Sequence, residues 1–293
     1  MSSSLQLTMV NDIFVDRLSV ADRGLGFGDG LFETMRLAAG RIPLLEYHLD
    51  RLESGCRVLA IPVSRTLLLS SLEVFVTAVV DPEPSIIKLI VTRGSGGQGC
   101  KPPSAHSSYP SIIWQNLPLA EAIPLSRSGV ALQLCRVPIY ANPYLAGIKH
   151  LNRLNYVMAA LDLPENPEVQ GLLVDDKRNI LETLHHNLFF VKNERLMTPQ
   201  LNNAGVKGVL RRLILEQLAP SCALSVTEGE FSIDELLDAD EVFLTNGVRG
   251  VWPVKAFAER RWPVPGPVTF KLQAMVEGVF SSESVRGGER NGQ

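Results

Sequence analysis

The chain has 293 residues, 45% of them hydrophobic and 20% charged, with a formal net charge of −3. That length suffices for one large domain or two moderate ones, and a chain of this size buries roughly 75% of its unfolded surface without disulfides or metal. The near-neutral balance and the scattered basic residues give no electrostatic reason to expect nucleic acid or an anionic membrane as partner.

The cysteines, Cys56, Cys100, Cys135 and Cys222, lie far apart and show no CxxC or His/Cys ligand spacing. They read as free thiols of a reducing compartment, and no metal site is expected. The opening "MSSSLQLTMVND" lacks a basic region followed by an apolar one, so no signal peptide is expected. No apolar run approaches the roughly 20 residues that a membrane helix needs, and "LLLSSLEVFVTAVV" is broken by serines and Glu73. These features together predict a cytoplasmic protein.

In chain order, residues 8–38 predict short strands around a Gly-rich centre, "DRGLGFGDGLFETMRL". Two helices follow, about 43–61 and 65–80; in the first, Leu44, Leu45, His48, Leu49, Leu52, Cys56 and Leu59 recur at helical spacing. "SIIKLIVTR" and "SIIWQNL" read as strands separated by the Gly/Pro-rich loop 94–110. The mixed stretch "PLAEAIPLSRSG", 118–129, predicts a linker between a small N-terminal domain, 1–117, and a larger domain, 130–280. The polar tail 281–293 predicts disorder. Strands in the larger part fall on "VALQLCRVP", "QGLLVDD", "NLFFV", "RLMTP" and "DEVFLTN", with helices near 150–162, 206–219, 232–238 and 267–280. The result is an α+β protein of two domains with a cleft between them.

"RGSGGQG" has GxGxxG spacing, but "CKPPSAHSSYP" follows it and cannot open the helix that a dinucleotide site requires. Arg93 stands where a nucleophile elbow needs glycine. A mobile glycine loop at the mouth of a cleft is the expectation. His185 and His186 are adjacent, so on a strand one would pack and the other meet solvent.

Lys149, in "AGIKHLNRLN", lies in an apolar approach to an expected helix start, where an ammonium has no neighbouring anion. Glu182 lies in the apolar strand of "NILETLHHNLFFV", where an inward carboxylate needs a cationic or hydrogen-bonding partner. "NNAGVKGVLRRLILEQLA" joins a Gly-rich turn to an amphipathic helix whose first N–H groups can hold a phosphate. The turn Thr245–Asn246–Gly247 ends another strand, and Arg51, in "EYHLDRL", can add a bidentate donor. Each feature alone has an ordinary reading as surface glutamate, helix entry or solvated arginine. Together, an isolated lysine, a carboxylate, two glycine turns and an arginine are the parts that pyridoxal 5′-phosphate needs.

The ordered set "FGDGLFETMR", "HLDRL", "RGSGGQG", "AGIKHLNRL", "LETLHHNLFFV" and "AGVKGVLRR", spread from about residue 10 to about 280, resembles the fold-type IV pyridoxal-phosphate enzymes. That class holds branched-chain and D-amino-acid aminotransferases and the aminodeoxychorismate lyases. "RGSGGQG" and "AGIKHLNRLN" are most similar to the lyases, which make 4-aminobenzoate and pyruvate for folate synthesis. The resemblance implies that Lys149 is the Schiff-base lysine and Glu182 the partner of the pyridine nitrogen. It implies a phosphate site from Arg51, the backbone of Val209 and Leu210, and the Asn246–Gly247 turn. It also implies a homodimer. Gln98 and Cys100 replace the arginine and tyrosine of the lyase pattern RGSGGRGY, which bears on substrate more than cofactor. Leu154 stands where many aminotransferases carry tyrosine, which agrees with the lyases. Thr34, Arg93 and Lys101 are candidates for the substrate side, Arg93 and Lys101 by charge and position alone.

Overall fold

The computed structural model describes residues 6–79, 83–119 and 125–281. Part of the expected linker, 120–124, and the tail beyond Ser281 lie outside the described residues.

The N-terminal part is built on four antiparallel strands, β1 (Thr8–Val10), β2 (Gly30–Leu37), β3 (Ser85–Thr92) and β4 (Ser111–Pro118), in the order β1-β4-β3-β2. Burial alternates along β2: Glu33, Met35 and Leu37 turn inward, and Phe32, Thr34 and Arg36 share the other face. A short helix α1 (Arg23–Phe27) precedes β2, and two longer ones, α2 (Leu45–Leu59) and α3 (Arg65–Ala78), cover the inward face. Leu49, Leu52, Leu68 and Phe75 from these helices pack on Met35, Ile87, Leu89 and Trp114. Ser64 caps α3 by accepting from Leu67 N at 3.2 Å.

The C-terminal part is a nine-stranded sheet. Its strands are β5 (Val130–Leu134), β6 (Val169–Val174), β7 (Ile180–Thr183), β8 (Asn187–Lys192), β9 (Arg195–Pro199), β10 (Val226–Gly229), β11 (Glu241–Asn246), β12 (Gly250–Phe257) and β13 (Arg260–Arg261). The order is β10-β9-β8-β11-β12-β5-β6-β7, and β7 also pairs with β8, so the strands from β8 round to β7 close on themselves. Alternation sends Leu188, Phe190, Leu244 and Val254 into one core, and Phe189, Val191 and Phe243 into another.

The first helices of this part are α4 (Leu125–Ser128), which occupies the end of the expected linker, and α5 (Leu154–Ala160). The next, α6 (Val209–Leu213), runs through a wide π-type turn, Ile214–Leu218, into α7 (Ala219–Ser221). After α8 (Ile233–Leu237) comes α9 (Pro267–Ser281), whose first N–H groups, from Val268 and Thr269, are capped by buried Glu241. No described helix is long and apolar enough to cross a membrane.

The helix expected near 150–162 is shorter, because the residues before it are paired elsewhere. Gly147 bridges Val206 and His150 bridges Leu31, so the chain stays extended past Lys149 and turns helical only at Leu154. This strip stitches the two parts of the molecule together with Lys149 at the seam. Farther along the seam, Arg212 meets Asp50 at 3.0 Å and Gln217 donates to Tyr47 Oη at 2.6 Å.

Candidate active site

Lys149 is fixed from both sides. Its carbonyl accepts from Phe32 N at 3.0 Å, while Gly147 O accepts from Lys207 N at 3.1 Å. The amine lies 4.3 Å from the centre of the Phe32 ring. Burial pushes its pKa down to about 7, with Arg51 and Arg153 adding to the shift and Glu33 and Glu182 opposing it. A lysine with that pKa is a nucleophile near neutrality, and part of the residue remains accessible.

Glu182 sits on β7 and is buried. Its carboxylate accepts from Tyr156 Oη at 2.6 Å, from Asn187 Nδ2 at 3.0 Å, and from Val206 N at 3.2 Å to each oxygen. Burial raises its pKa, and Tyr156, Val206 N, Arg153 and Lys149 pull the other way. Asn187 Nδ2 also donates to Val206 O at 2.8 Å, which ties β8 to the turn that precedes α6.

A buried network from the N-terminal part completes the floor. Glu33 is 1% exposed and accepts from Arg51 Nε at 2.8 Å and His48 Nδ1 at 2.6 Å. Burial alone would raise Glu33, but Arg51 and His48 outweigh it and hold its pKa at about 2. His48 is lowered by burial against the pull of Glu33, and its Nε2 finds no partner. Arg51 also donates from Nη2 to the Glu33 carboxylate at 2.5 Å and from Nη1 to Lys207 O at 3.2 Å.

The geometry around Gly247 fits a phosphate ester. α6 begins at Val209 after Gly208, whose lack of a side chain leaves the first N–H groups uncapped. A Cβ on Gly208 would stand 1.9 Å from Asn187 Oδ1, so only glycine allows that approach. A Cβ on Gly247 would fall 2.9 Å from Val209 Cγ2 and 3.1 Å from the orphan His48 Nε2. The Asn246 side chain is engaged within the turn, accepting from Val248 N at 3.0 Å and Arg249 N at 2.7 Å, so backbone is what the turn can offer. Uncapped N–H groups, a guanidinium and an unpaired buried imidazole within one seam suit an oxyanion.

Two expected residues stay out of this arrangement. Arg93 is spent inside the N-terminal part: its guanidinium meets Asp29 at 2.7 and 2.9 Å and donates to Leu59 O and Ala60 O. Among the described residues no hydrogen bond, ion pair or ring contact joins Lys101 to Lys149; it is exposed and pairs through its backbone with Gln98. Nor is the glycine loop free. Arg23 donates to Gly96 O, Gly99 O and Cys100 O at 3.3, 2.9 and 3.2 Å and pairs with Asp29, which pins the loop from below. Thr34 stands next to Phe32 on the seam-facing side of β2. His186 is buried against Trp252 with ring centres 4.8 Å apart and His185 is exposed, but both lie in the bend between β7 and β8, not on a strand.

Sequence reasoning missed Glu33, His48, Tyr156 and Asn187. A readable signal existed for the first two. Glu33 occupies an inward position of an apolar strand, and His48 and Arg51 are three apart on one helix face, so an inward anion met two donors at helical spacing.

A strip carrying a depressed lysine, set between a closed sheet and a four-stranded one, defines the class. Residues 30–257 match the amino-transferase class IV family, and the chain belongs to it. The aminodeoxychorismate lyase of Vibrio harveyi is 33% identical over 269 residues, covering 90% of this chain and 97% of its own. The crystal structure of 4-amino-4-deoxychorismate lyase from Pseudomonas aeruginosa superposes with a TM-score of 0.87 at 40% identity, over 92% of this chain and 98% of that one. A putative branched-chain-amino-acid aminotransferase of Methanocaldococcus jannaschii is 32% identical over 84% of this chain and 85% of its own. The cysteines are free, as the absence of paired spacing led one to expect.

Proposed function

We propose that this protein is a pyridoxal 5′-phosphate-dependent lyase that converts 4-amino-4-deoxychorismate to 4-aminobenzoate and pyruvate. The observation that carries this reading is Lys149, a lysine held near neutrality over an aromatic ring, with a buried carboxylate on one side and an anion-ready turn on the other. The likeness to the Vibrio harveyi and Pseudomonas aeruginosa lyases over most of the chain supports the substrate.

When bound, pyridoxal 5′-phosphate supplies an aldehyde for the amine and a ring that takes up an electron pair. Arg51, the backbone of Val209 and Leu210, and the Asn246–Gly247 turn hold its phosphate. Glu182 keeps a proton on the ring nitrogen, and Tyr156, Asn187 and Val206 N orient that carboxylate. Lys149 Nζ takes the proton from the amine-bearing carbon of the substrate; its pKa of about 7 lets it accept and release a proton at neutral pH. Thr34, beside Phe32, serves the substrate side. Loss of pyruvate leaves an aromatic ring, which drives the step forward.

A homodimer is part of this reading. Leu154, Val157 and Met158 of α5 and Leu161 just after it are exposed, as is Tyr144 in the strip before it, an apolar face that a second copy would cover. A cytoplasmic location agrees with the unpaired cysteines.

The test is incubation of purified, cofactor-loaded protein with 4-amino-4-deoxychorismate and no amino acceptor. Equal amounts of 4-aminobenzoate and pyruvate are expected. A requirement for 2-oxoglutarate, with glutamate appearing, would make the protein an aminotransferase instead.

A further inference from the structure

Three cations converge on one ring. Phe32 has Lys149 Nζ at 4.3 Å, Arg153 Cζ at 5.8 Å and Lys88 Nζ at 5.9 Å from its centre. Lys88 reaches this face because it pairs across the sheet with Thr34, and directly opposed residues of antiparallel strands point the same way. Arg153 arrives from the lysine strip and also lies 4.6 Å from the Tyr156 ring.

Only Lys149 has a role in the proposed reaction. Arg153 donates to His150 O at 3.0 Å and more weakly to Ile148 O at 3.5 Å and also meets the Tyr156 hydroxyl, but among the described residues no carboxylate forms an ion pair with Arg153 or Lys88. Glu182, whose ionised form Arg153 favours, is already bonded by Tyr156, which stands beside Arg153. Arg153 lines a pocket of about 220 Å³ with Asn142, His150, Asn152, Asn155 and Tyr156. None of the residues lining it is acidic, and His150 Nδ1 is buried there without a partner. Several amides beside an uncompensated guanidinium suit an oxygen-rich anion.

We infer that Arg153 and Lys88 are the anchors for the two carboxylates of the substrate, brought near the reactive lysine by their shared approach to Phe32. The inference rests on the lyase reading, whose substrate carries one carboxylate on the ring and another on the enolpyruvyl group.

The experiment uses Arg153→Met, Arg153→Lys and Lys88→Met in the cofactor-loaded protein. Two non-reacting probes are titrated by calorimetry: chorismate, which has both carboxylates and a hydroxyl in place of the amine, and 4-aminobenzoate, which has the ring carboxylate only. Each Met variant is expected to raise KM and weaken chorismate roughly 10- to 100-fold, the range for losing a charge-assisted contact. One of the two should also weaken 4-aminobenzoate, which identifies the ring anchor, and Arg153→Lys should recover part of the loss. The visible band of the bound cofactor should keep its position in all three variants, and its pH dependence should move upward only in Arg153→Met, which loses a cation that helps depress the Lys149 amine. The inference is overturned if either Met variant leaves chorismate affinity within about threefold of wild type. It is equally overturned if Arg153→Met lowers kcat and shifts the cofactor band at unchanged KM, because Arg153 would then serve Tyr156 and Glu182. Wild-type protein that binds chorismate through both anchors but releases no pyruvate from aminodeoxychorismate would sink the lyase reading and leave the anchors standing.

Discussion

Replacing Lys149 by Met in the cofactor-free protein tests the electrostatic core of the site. The side chains are similar in length, so the change removes a charge more than a shape. The wild-type amine has its pKa lowered from 10.5 to about 7. A shift of that size corresponds to at most about 5 kcal/mol, and because part of the residue meets solvent, about 2–3 kcal/mol is the expected effect after screening. Below pH 7 the amine is protonated in both folded and unfolded chains, so the folded wild type carries the whole cost of holding that charge. Between pH 7 and 10.5 the folded amine is neutral while the unfolded one still binds its proton, and wild-type stability rises with pH relative to the variant. Urea denaturation of both proteins from pH 6 to 10 should therefore find Lys149→Met the more stable at pH 6 and the gap closing steadily above pH 7. Titrating groups that do not feel Lys149 are common to the two proteins and cancel; His48, His185 and Glu182 do feel it. A gap that stays flat across this range, or widens with pH, would refute the idea that burial and neighbouring cations hold this amine near neutrality.

Glu182→Gln should keep bound cofactor and lose turnover by roughly 10²–10³, the scale of one preorganised electrostatic contact; stopped-flow single turnovers check it, and near-wild-type rates would remove Glu182 from the ring nitrogen. The fold should tolerate that change, since Tyr156 can turn its hydroxyl to accept from the new amide. Arg23→Ala strips three loop carbonyls of a donor and breaks one bond to Asp29. It should cost about 3 kcal/mol and speed proteolysis between Gly94 and Lys101, with unchanged cleavage there counting against the latch.

The lysine strip, the carboxylate strand and the glycine turns were legible because each is local: a few neighbouring residues carry both the shape and the chemistry. Gly208 and Gly247 stand where any side chain would collide, and such positions mark themselves in a sequence by being glycine. What escaped depends on partners far along the chain. Tyr156 meets Glu182 across 26 positions and Arg23 meets Cys100 across 77, and nothing in either neighbourhood announces the other. Arg93 misled for the same reason. Its charge is visible in the glycine motif, but Asp29, which consumes it, lies 64 residues earlier. The helix boundary after Lys149 escaped because tertiary pairing of Gly147 and His150 overrides local helical periodicity.

The Glu33 network explains how one protein can hold both a neutral amine and a phosphate. Arg51 is close enough to depress Lys149, yet its own charge is balanced by Glu33, which Arg51 and His48 together keep ionised. Without Glu33, Arg51 would be an unpaired cation at the seam and would repel the amine more strongly. With Glu33 facing no arginine, the carboxylate would instead attract a proton to Lys149 and silence it as a nucleophile. The pair therefore leaves a modest positive field that adds to burial in depressing the amine and welcomes a dianion beside Gly247. An arriving phosphate would offset Arg51 and favour a proton on the unpaired His48 Nε2, so the site is set for its anion before the anion is there.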